Sequence, residues 1–126
     1  MGTWLINADL SGATLINADL MATLLINTNL CESLLIEADL SSALLTNAQL
    51  TGANLNDANL SEVQLDGADL RGIQYWTIKQ LSQAKTLERT TMPDGIRLTK
   101  TTGESVNGIL KFPTFGEIEF PRPAVL

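Results

Sequence analysis

Residues 5–20 read LINADLSGATLINADL, and the leucines in this stretch stand five positions apart. Tyr75 takes the place after the last of them, and the residue two positions before the leucine is an alanine in most repeats. A five-residue period therefore organises the chain from about residue 3 to residue 76. The spacing continues through fourteen leucines: Leu5, Leu10, Leu15, Leu20, Leu25, Leu30, Leu35, Leu40, Leu45, Leu50, Leu55, Leu60, Leu65 and Leu70.

A period of five fits neither an α-helix nor a flat strand. In a helix, leucines five residues apart would drift around every side, because each residue turns the chain by about 100°. In a strand, an odd period sends alternate leucines to opposite faces. The conflict disappears if the chain turns a corner in every pentad, so that each leucine points to one shared axis. The pattern therefore predicts a coil of short parallel strands stacked about 4.8 Å apart.

The residue two places after each leucine suits such a corner. It is Asn, Gly or Asp in nine of fourteen pentads, and these residues tolerate the positive φ at the third position of a type II turn. Four other corners hold side chains that disfavour positive φ. We expect type II turns at the Asn and Gly corners, and a shift to type I at these four: Ala22, Glu32, Glu37 and Glu62.

The strings NADLSGATLINADL, EADLSSALL, TGANLNDANL and DGADLRG resemble the A(D/N)LxX motif of pentapeptide repeat proteins. The resemblance covers roughly residues 3–76. It implies an all-β solenoid, a right-handed quadrilateral parallel β-helix with four pentads in each coil and about four coils in all. Stacking by twenty residues would place Asn7, Asn27 and Asn47 in one column.

Composition excludes several kinds of active site. No histidine is present, which removes Ser–His–Asp triads, Cys–His dyads and histidine-based zinc sites. Cys31 is the only cysteine, so no disulfide forms within the chain and a reducing compartment fits. Stacking brings Asp19 near Asp39, but single carboxylates on a ridge do not supply the six to eight oxygens that calcium needs. We therefore expect no catalytic residue, no cofactor and no metal site.

The charge is unevenly distributed along the chain. Residues 1–76 carry nine acids and one base, whereas residues 77–126 carry five acids and seven bases, for a net charge of −6. An acidic body repels phosphates, so we expect no direct binding to nucleic acid. The start of the chain lacks a basic region followed by an apolar run, and no run reaches about 18 apolar residues. We therefore expect neither a signal peptide nor a membrane span, and a cytoplasmic location.

One outward column of the predicted coil is apolar. Trp4, Leu24 and Leu44 precede the leucines of its first face, and Ile6 and Ile26 follow them. We call these five residues the apolar strip. An exposed apolar patch of this size normally marks a surface that something covers. We expect the C-terminal segment of the same chain to lie on it, and a protein partner or a second copy of the chain are the alternatives.

The repeat breaks after Tyr75. The segment TIKQLSQAKTLE, residues 77–88, spaces its apolar residues as a helix does. Thr77 can be the N-cap, with Gln80 as its capping-box partner. A short helix here would cover the leucines of the last coil, which a solenoid otherwise leaves open.

The final segment differs from the repeats. It is too apolar for a free disordered tail, and GEIEF, residues 116–120, alternates like a short strand. We expect residues 112–120 to contact the repeat body of the same chain or of a neighbour. The chain thus divides into a repeat body at 1–76, a capping helix and turn at 77–95, and a C-terminal extension at 96–126.

These observations favour a non-enzymatic structural or protein-interaction module with an unidentified protein partner. The repeats occupy most of the chain, and a convex solenoid offers no cleft for catalysis. The resemblance also implies a second function, because the family includes DNA-mimic inhibitors of a type II topoisomerase, gyrase. The acidic body supports that function, whereas fewer than four coils and no sign of a C-terminal dimer count against it. A homodimer remains open.

Overall fold

The computed structural model describes residues 3–93 and three later strands. The elements are helix α1 at Ile78–Ser82, followed by strands β1 at Glu104–Val106, β2 at Ile109–Phe112 and β3 at Gly116–Glu119.

Residues 3–76 form a coil that repeats every twenty residues. Each side makes a parallel bridge to the side twenty residues later, as Trp4 does with Leu24 and Asp9 with Asn29. A turn follows each bridge, closed in the first pentad by the Ala8 N–H donating to the Leu5 carbonyl at 3.2 Å. Four such turns in twenty residues make the coil four-sided. We number the faces by their first outward residue: face 1 from Trp4, face 2 from Asp9, face 3 from Thr14 and face 4 from Asp19.

Backbone hydrogen bonds join successive coils in both directions. The Leu5 N–H donates to the Leu24 carbonyl at 2.8 Å, and the Leu24 N–H donates back to the Thr3 carbonyl at 2.8 Å. The same pattern recurs on the other faces. Coil 1 spans residues 3–22, coil 2 residues 23–42, coil 3 residues 43–62, and the incomplete coil 4 residues 63–76.

The repeat leucines fill the interior. Every one from Leu25 to Leu70 is at most 2% exposed, and the small residues two positions earlier in coils 2 and 3 are buried beside them. The fourteen inward leucines are not all buried: in coil 1 Leu20 is buried at 8% exposure, whereas Leu5, Leu10 and Leu15 are only partly buried. These three leucines have a neighbouring coil on one side only among the described residues, so half of their packing surface is missing.

The corners are more uniform than the sequence predicts. Ala22, Glu32, Glu37 and Glu62 have φ values of 57°, 59°, 57° and 60°, close to the 62° of Asn7. The expected shift to type I is therefore wrong, since the third residue of a type I turn has φ near −90°. The physical reason is the hydrogen bonding between coils. The corner N–H of Glu32 donates to the Thr51 carbonyl at 2.9 Å, as the N–H of Asn7 does to the Ile26 carbonyl. This bond between coils fixes the corner conformation. It outweighs the free-energy cost of a left-handed backbone at a non-glycine residue, about 1–2 kcal/mol.

The chain leaves the coil at Tyr75 in an unexpected way. The period assigns Tyr75 an inward place, but its φ is 60° and its side chain is 38% exposed. The next residue, Trp76, is buried instead, at 4% exposure. The larger indole thus fills the end of the core, and the phenol turns outward.

Helix α1 is shorter than predicted and begins as predicted. The Gln80 N–H donates to Thr77 Oγ1 at 3.0 Å, and the Thr77 N–H donates to Gln80 Oε1 at 2.7 Å, which completes the capping box. The helix ends at Ser82 rather than near residue 88. It occupies the position that face 4 of a complete fourth coil would take, and Leu81 is fully buried there.

After the helix the chain returns to the coil, which the sequence analysis missed. Thr86 bridges Gln64 on face 1, and Thr91 bridges Asp69 on face 2, both parallel. The offset is now twenty-two residues, because the helix takes more chain than a pentad does. Leu87 and Met92 stand five residues apart and are both buried. This spacing is the signal that would have identified residues 86–92 as a further layer.

Strands β1, β2 and β3 form an antiparallel sheet in that order. Val106 pairs with Ile109, and Phe112 pairs with Gly116. The strand expected in GEIEF corresponds to β3, and β1 and β2 lie close to α1. Within residues 112–120 the structure describes Phe112 and Gly116–Glu119 as strand backbone, whereas 113–115 and 120 lie outside the described residues. The expected contacts of this segment with the repeat body stay a prediction.

Candidate interaction surface

The five residues of the apolar strip lie on face 1 of coils 1 to 3. Trp4 bridges Leu24, and Leu24 bridges Leu44, so their backbones are stacked at the spacing of neighbouring strands, about 4.8 Å. Ile6 and Ile26 are the first residues of the turns that follow. Trp4 is 76% exposed and Ile6 41% exposed, whereas Leu24, Ile26 and Leu44 are partly buried.

Face 1 becomes polar below the apolar strip. The column continues with Gln64 and Thr86, which bridge each other in turn. The apolar surface is therefore confined to the half of the face nearest the first coil. Face 3 is less apolar: Ile16 is exposed and Leu34 is partly buried, but Leu34 stacks between the polar residues Thr14 and Asn54.

The strip adjoins the open edge of coil 1. The N–H groups of Trp4, Asp9 and Thr14 have no backbone acceptor among the described residues, whereas their counterparts in coil 2 each donate to coil 1. Leu5 lies directly behind Trp4 and is itself only partly buried. Among the described residues, both side chains and backbone groups are therefore uncovered at this end of face 1.

A repeated local hydrogen bond orders the outward polar side chains of faces 2 and 4 and of Asn54 on face 3. An Asp or Asn immediately before the leucine accepts the N–H of the residue two positions later, as Asp9 Oδ1 does from Ser11 at 3.0 Å. This side-chain turn gives a physical reason for the D/N position of the repeat motif, which the sequence analysis left unexplained. It recurs at Asp9, Asp19, Asn29, Asp39, Asn54, Asn59 and Asp69.

The same bonds lower the pKa of three carboxyls. The Ser11 hydroxyl lowers the pKa of Asp9, and the Ser41 hydroxyl that of Asp39, each with help from the serine N–H. Asp69 accepts from the Arg71 guanidinium, which lowers the pKa of Asp69 and raises that of Arg71. These aspartates are held as anions by their neighbours, which is a positioning role and does not equip them for acid catalysis.

Face 4 and the corners beside it collect carboxylates. Asp19 bridges Asp39 in the stack, as the sequence predicts. Among residues 3–93 no group of three or more acidic or thiol side chains is arranged to hold a metal ion, and no described helix is long and apolar enough to cross a bilayer. Cys31 is a free, partly buried thiol.

Comparison with known proteins identifies the repeat. A family model for pentapeptide repeats matches residues 4–33 and 33–72, in eight copies. The chain belongs to the pentapeptide repeat family. The match covers more than half of the sequence and coincides with the coils described above. No curated protein matches this pentapeptide repeat protein.

Solved cyanobacterial structures resemble the chain. HetL from Nostoc sp. strain PCC 7120, a pentapeptide repeat protein involved in heterocyst differentiation regulation, is 36% identical over 76% of this chain and 41% of its own, with a TM-score of 0.58. Rfr23 from Cyanothece 51142 is 44% identical over 56% of this chain and 48% of its own, with a TM-score of 0.55. The protein alr5209 from Nostoc PCC 7120 is 31% identical over 61% of this chain and 64% of its own, with a TM-score of 0.58.

These relatives indicate the fold of this chain more than its function. They imply a right-handed quadrilateral β-helix, in agreement with the four-sided coil seen here. The chain spans less than two thirds of the length of each of the three. Nothing in the comparisons or in the described residues points to catalysis, and members of this family are structural or interaction modules.

Proposed function

We propose that this pentapeptide repeat protein is a non-enzymatic interaction module that binds a protein partner through the apolar strip. The observation that carries the proposal is Trp4, which is 76% exposed at the edge of a stacked apolar column. An indole in this setting has the size and rigidity of the aromatic anchors that dominate protein interfaces.

The surroundings of the strip fit an interface as well. The corner residues beside it are Asn7, Asn27 and Asn47, which are exposed and polar. An apolar centre with a polar rim is the usual composition of a protein-binding patch. The β-helix beneath is held by backbone bonds on every coil, so the strip needs little ordering upon binding.

The location of the strip also bears on what covers it. Trp4 and Ile6 are both exposed among the described residues. The C-terminal segment of the same chain and a second copy of the chain stay the alternatives to a protein partner. A regulatory role such as that of HetL would be compatible with such a module.

A comparison of two variants tests the proposal. Trp4→Ala removes the anchor on face 1, and Ile16→Ala removes an exposed apolar side chain on the opposite face 3. Once a partner has been recovered with the immobilised wild-type chain, Trp4→Ala should weaken its affinity at least about tenfold. Ile16→Ala should leave it unchanged. Equal loss with both variants, or none with Trp4→Ala, would remove face 1 as the binding surface.

We also propose that α1 caps the C-terminal end of the β-helix. Gln80 Nε2 donates to the Ala58 carbonyl at 3.0 Å and to the Leu55 carbonyl at 2.8 Å. In coils 1 and 2 the carbonyl equivalent to Ala58 accepts the N–H of the next coil, as Ala18 does from Asp39. The glutamine side chain thus replaces the missing strand on face 4.

We also propose that the chain divides into a repeat body at 1–76, a capping region at 77–95 and an extension at 96–126, with residues 86–92 stacked on the body.

A second function, gyrase inhibition by DNA mimicry, is favoured by one observation. Five carboxylates gather on face 4 and its two corners, in stacked positions about 4.8 Å apart along the coil: Asp19, Asp39, Glu37, Asp57 and Glu62. A gyrase supercoiling assay decides between the two functions. Inhibition that is lost when Asp39 and Asp57 are both changed to Asn would establish mimicry, and no inhibition at 100-fold molar excess would exclude it.

Several expectations remain predictions. The described residues 3–93 carry ten acids and four bases, so we propose no direct contact with nucleic acid. Homodimerisation and a cytoplasmic location also stay predictions. Light scattering on the full chain tests the first, since a dimer would double the mass.

A further inference from the structure

A polar cavity of about 470 Å³ opens where the corner after face 1 meets face 2. Its walls come from coils 3 and 4 and from the layer at residues 86–92. Asn47 and Gly67 lie on the corner column, Asp69 and Arg71 on face 2, and Arg89 on the corner of the last layer. We call this site the arginine cavity.

The arginine cavity collects positive charge on an acidic molecule. Arg71 and Arg89 are the two arginines of residues 3–93, and both line it. The described residues carry ten acids against four bases, so chance placement would surround such a cavity with carboxylates. Only Asp69 supplies one among its lining residues.

Asp69 orients Arg71 and leaves donors free. Arg71 Nε donates to Asp69 Oδ1 at 3.0 Å, and Arg71 Nη2 donates to Asp69 Oδ2 at 2.7 Å. The same carboxylate accepts the Arg71 N–H at 3.0 Å, so most of its acceptor capacity is used. Arg71 Nη1 and the whole Arg89 guanidinium have no partner among the described residues. Within the part of the chain that the structure describes, the cavity therefore holds one guanidinium fixed by a carboxylate and one without a partner.

Gly67 makes room for the Asn47 amide, and space rather than its φ explains the glycine. Ten corners of the repeat body hold non-glycine residues at φ near 60°, so a positive φ does not by itself require glycine here. A Cβ at Gly67 would collide with Asn47 Oδ1, whereas a Cβ at Gly12 would meet nothing within 4 Å. The bare corner lets the Asn47 amide lie across it, which places a further polar group in the wall.

We propose that the arginine cavity binds the carboxylate of an acidic peptide segment, with Arg89 as the principal contact and Arg71 as the second. A guanidinium presents paired donors that match a carboxylate, and the amide of Asn47 can pair with a peptide group beside it. Pockets for free small molecules are mostly apolar and enclosed, whereas this one is polar and open along the stack. The site shares Asn47 with the polar rim of the apolar strip but none of the five residues of the strip, and it does not depend on the function proposed for the strip.

The test uses the full 126-residue chain and a fluorescent tetraglutamate peptide with blocked termini. Anisotropy at low ionic strength measures its affinity, with tetraglutamine as the neutral control. Arg89→Gln should weaken binding about fivefold, the upper range for one exposed ion pair. Gly67→Ala should also weaken it, because Asn47 must move. Lys85→Gln and Gly12→Ala are the matched controls and should have no effect, since neither residue lines the cavity.

Two further measurements locate the site and exclude a general electrostatic attraction. Amide chemical shifts should change at Gly67, Arg71 and Thr91 on titration with tetraglutamate. The free dicarboxylate glutarate should compete only at concentrations at least about tenfold higher. If Gly67→Ala does not fold, Arg89→Gln still decides the outcome.

Three results would overturn the proposal. The first is an equal loss of affinity with Lys85→Gln and Arg89→Gln, which would mean attraction to the net charge alone. The second is no tetraglutamate binding at 1 mM peptide. The third is competition by glutarate at the concentration of the peptide, which would assign the cavity to free acids.

Discussion

The first and second coils repeat nearly the same sequence and differ in how well they are buried. LINADL stands at residues 5–10 and 15–20, and LINTNL and LIEADL follow at 25–30 and 35–40. Leu30 is fully buried, yet Leu10, directly above it in the stack, is only partly so. The pentad sets where the leucine points, and the neighbouring coils set how much water it loses.

The backbone shows the same contrast. The Asn29 N–H in coil 2 donates to the Ala8 carbonyl at 2.9 Å, whereas the equivalent Asp9 N–H in coil 1 has no backbone acceptor among the described residues. A coil in the middle of the stack is therefore bonded on both sides, whereas coil 1 is bonded on one side among the described residues. Stability should fall from the middle of the β-helix toward its first coil.

Truncating matched leucines measures that gradient most directly. Leu30→Ala should lower the free energy of unfolding by about 2–5 kcal/mol, because it leaves a cavity between packed coils. Leu10→Ala should cost less than half as much, since part of the side chain is already in water. Urea unfolding followed by circular dichroism measures both. Equal losses would contradict the account and would show that coil 1 is covered in solution.

The five-residue period predicted much of the body from sequence. The coil, the inward leucines, the stacked column of Trp4, Leu24 and Leu44, and the capping box at Thr77 all follow from spacing and residue type. These features depend on local chemistry or on a strict repeat, which a single sequence displays. The use of the apolar strip does not follow in the same way and remains a proposal.

Features set by the stack as a whole were predicted poorly. Side-chain sterics at Glu32 suggested another turn, but bonds to the next coil decide its φ. Trp76 rather than Tyr75 is buried at the end of the core, although the five-residue period assigns the inward place to Tyr75. The arginine cavity joins residues 47, 71 and 89, which come together only after the helix shifts the register.

Face 4 of coil 3 offers the opposite comparison, because the Gln80 side chain donates to its Leu55 and Ala58 carbonyls. Gln80→Ala should lower the free energy of unfolding by about 1–3 kcal/mol, since the Ala58 carbonyl then loses its donor in a buried place. Lys79→Ala is the control, being an exposed residue of the same helix. Thermal unfolding compares them. A Gln80→Ala chain as stable as Lys79→Ala would show that the carbonyl finds water instead and that the helix does not close this end.

Two buried threonines of coil 2 allow the effect of a neighbouring coil to be measured on a single hydroxyl group. Thr28 Oγ1 donates to the Leu5 carbonyl of coil 1 at 2.7 Å, whereas Thr23 Oγ1 is buried with no partner among the described residues. Thr28→Val should lower the free energy of unfolding by about 1 kcal/mol. Thr23→Val should raise it by a similar or smaller amount, because an unpaired hydroxyl leaves the core. If both variants lose stability equally in urea, Thr23 has a partner in solution that the described residues do not supply.

The smallest effect concerns bonds that do not depend on stacking at all. Ser41 Oγ donates to Asp39 Oδ1 at 2.6 Å in coil 2, and Ser11 Oγ donates to Asp9 Oδ1 at 2.7 Å in the open coil 1. Both bonds stay within one pentad, so both lower the pKa of their aspartate. Ser41→Ala and Ser11→Ala should each raise the pKa of that aspartate toward its ordinary value, which carboxyl carbon NMR titration reads directly.

The same bonds make stability depend on pH. A carboxyl whose pKa is lower in the folded than in the unfolded state stabilises the fold at pH values above the unfolded pKa. This stabilisation is lost as the pH falls through the folded pKa. The stability deficit of Ser41→Ala should therefore contain a part that is present at pH 7 and absent near pH 2. A pKa of Asp9 that does not respond to Ser11→Ala, while Asp39 responds to Ser41→Ala, would show that even these local bonds need a coil on both sides.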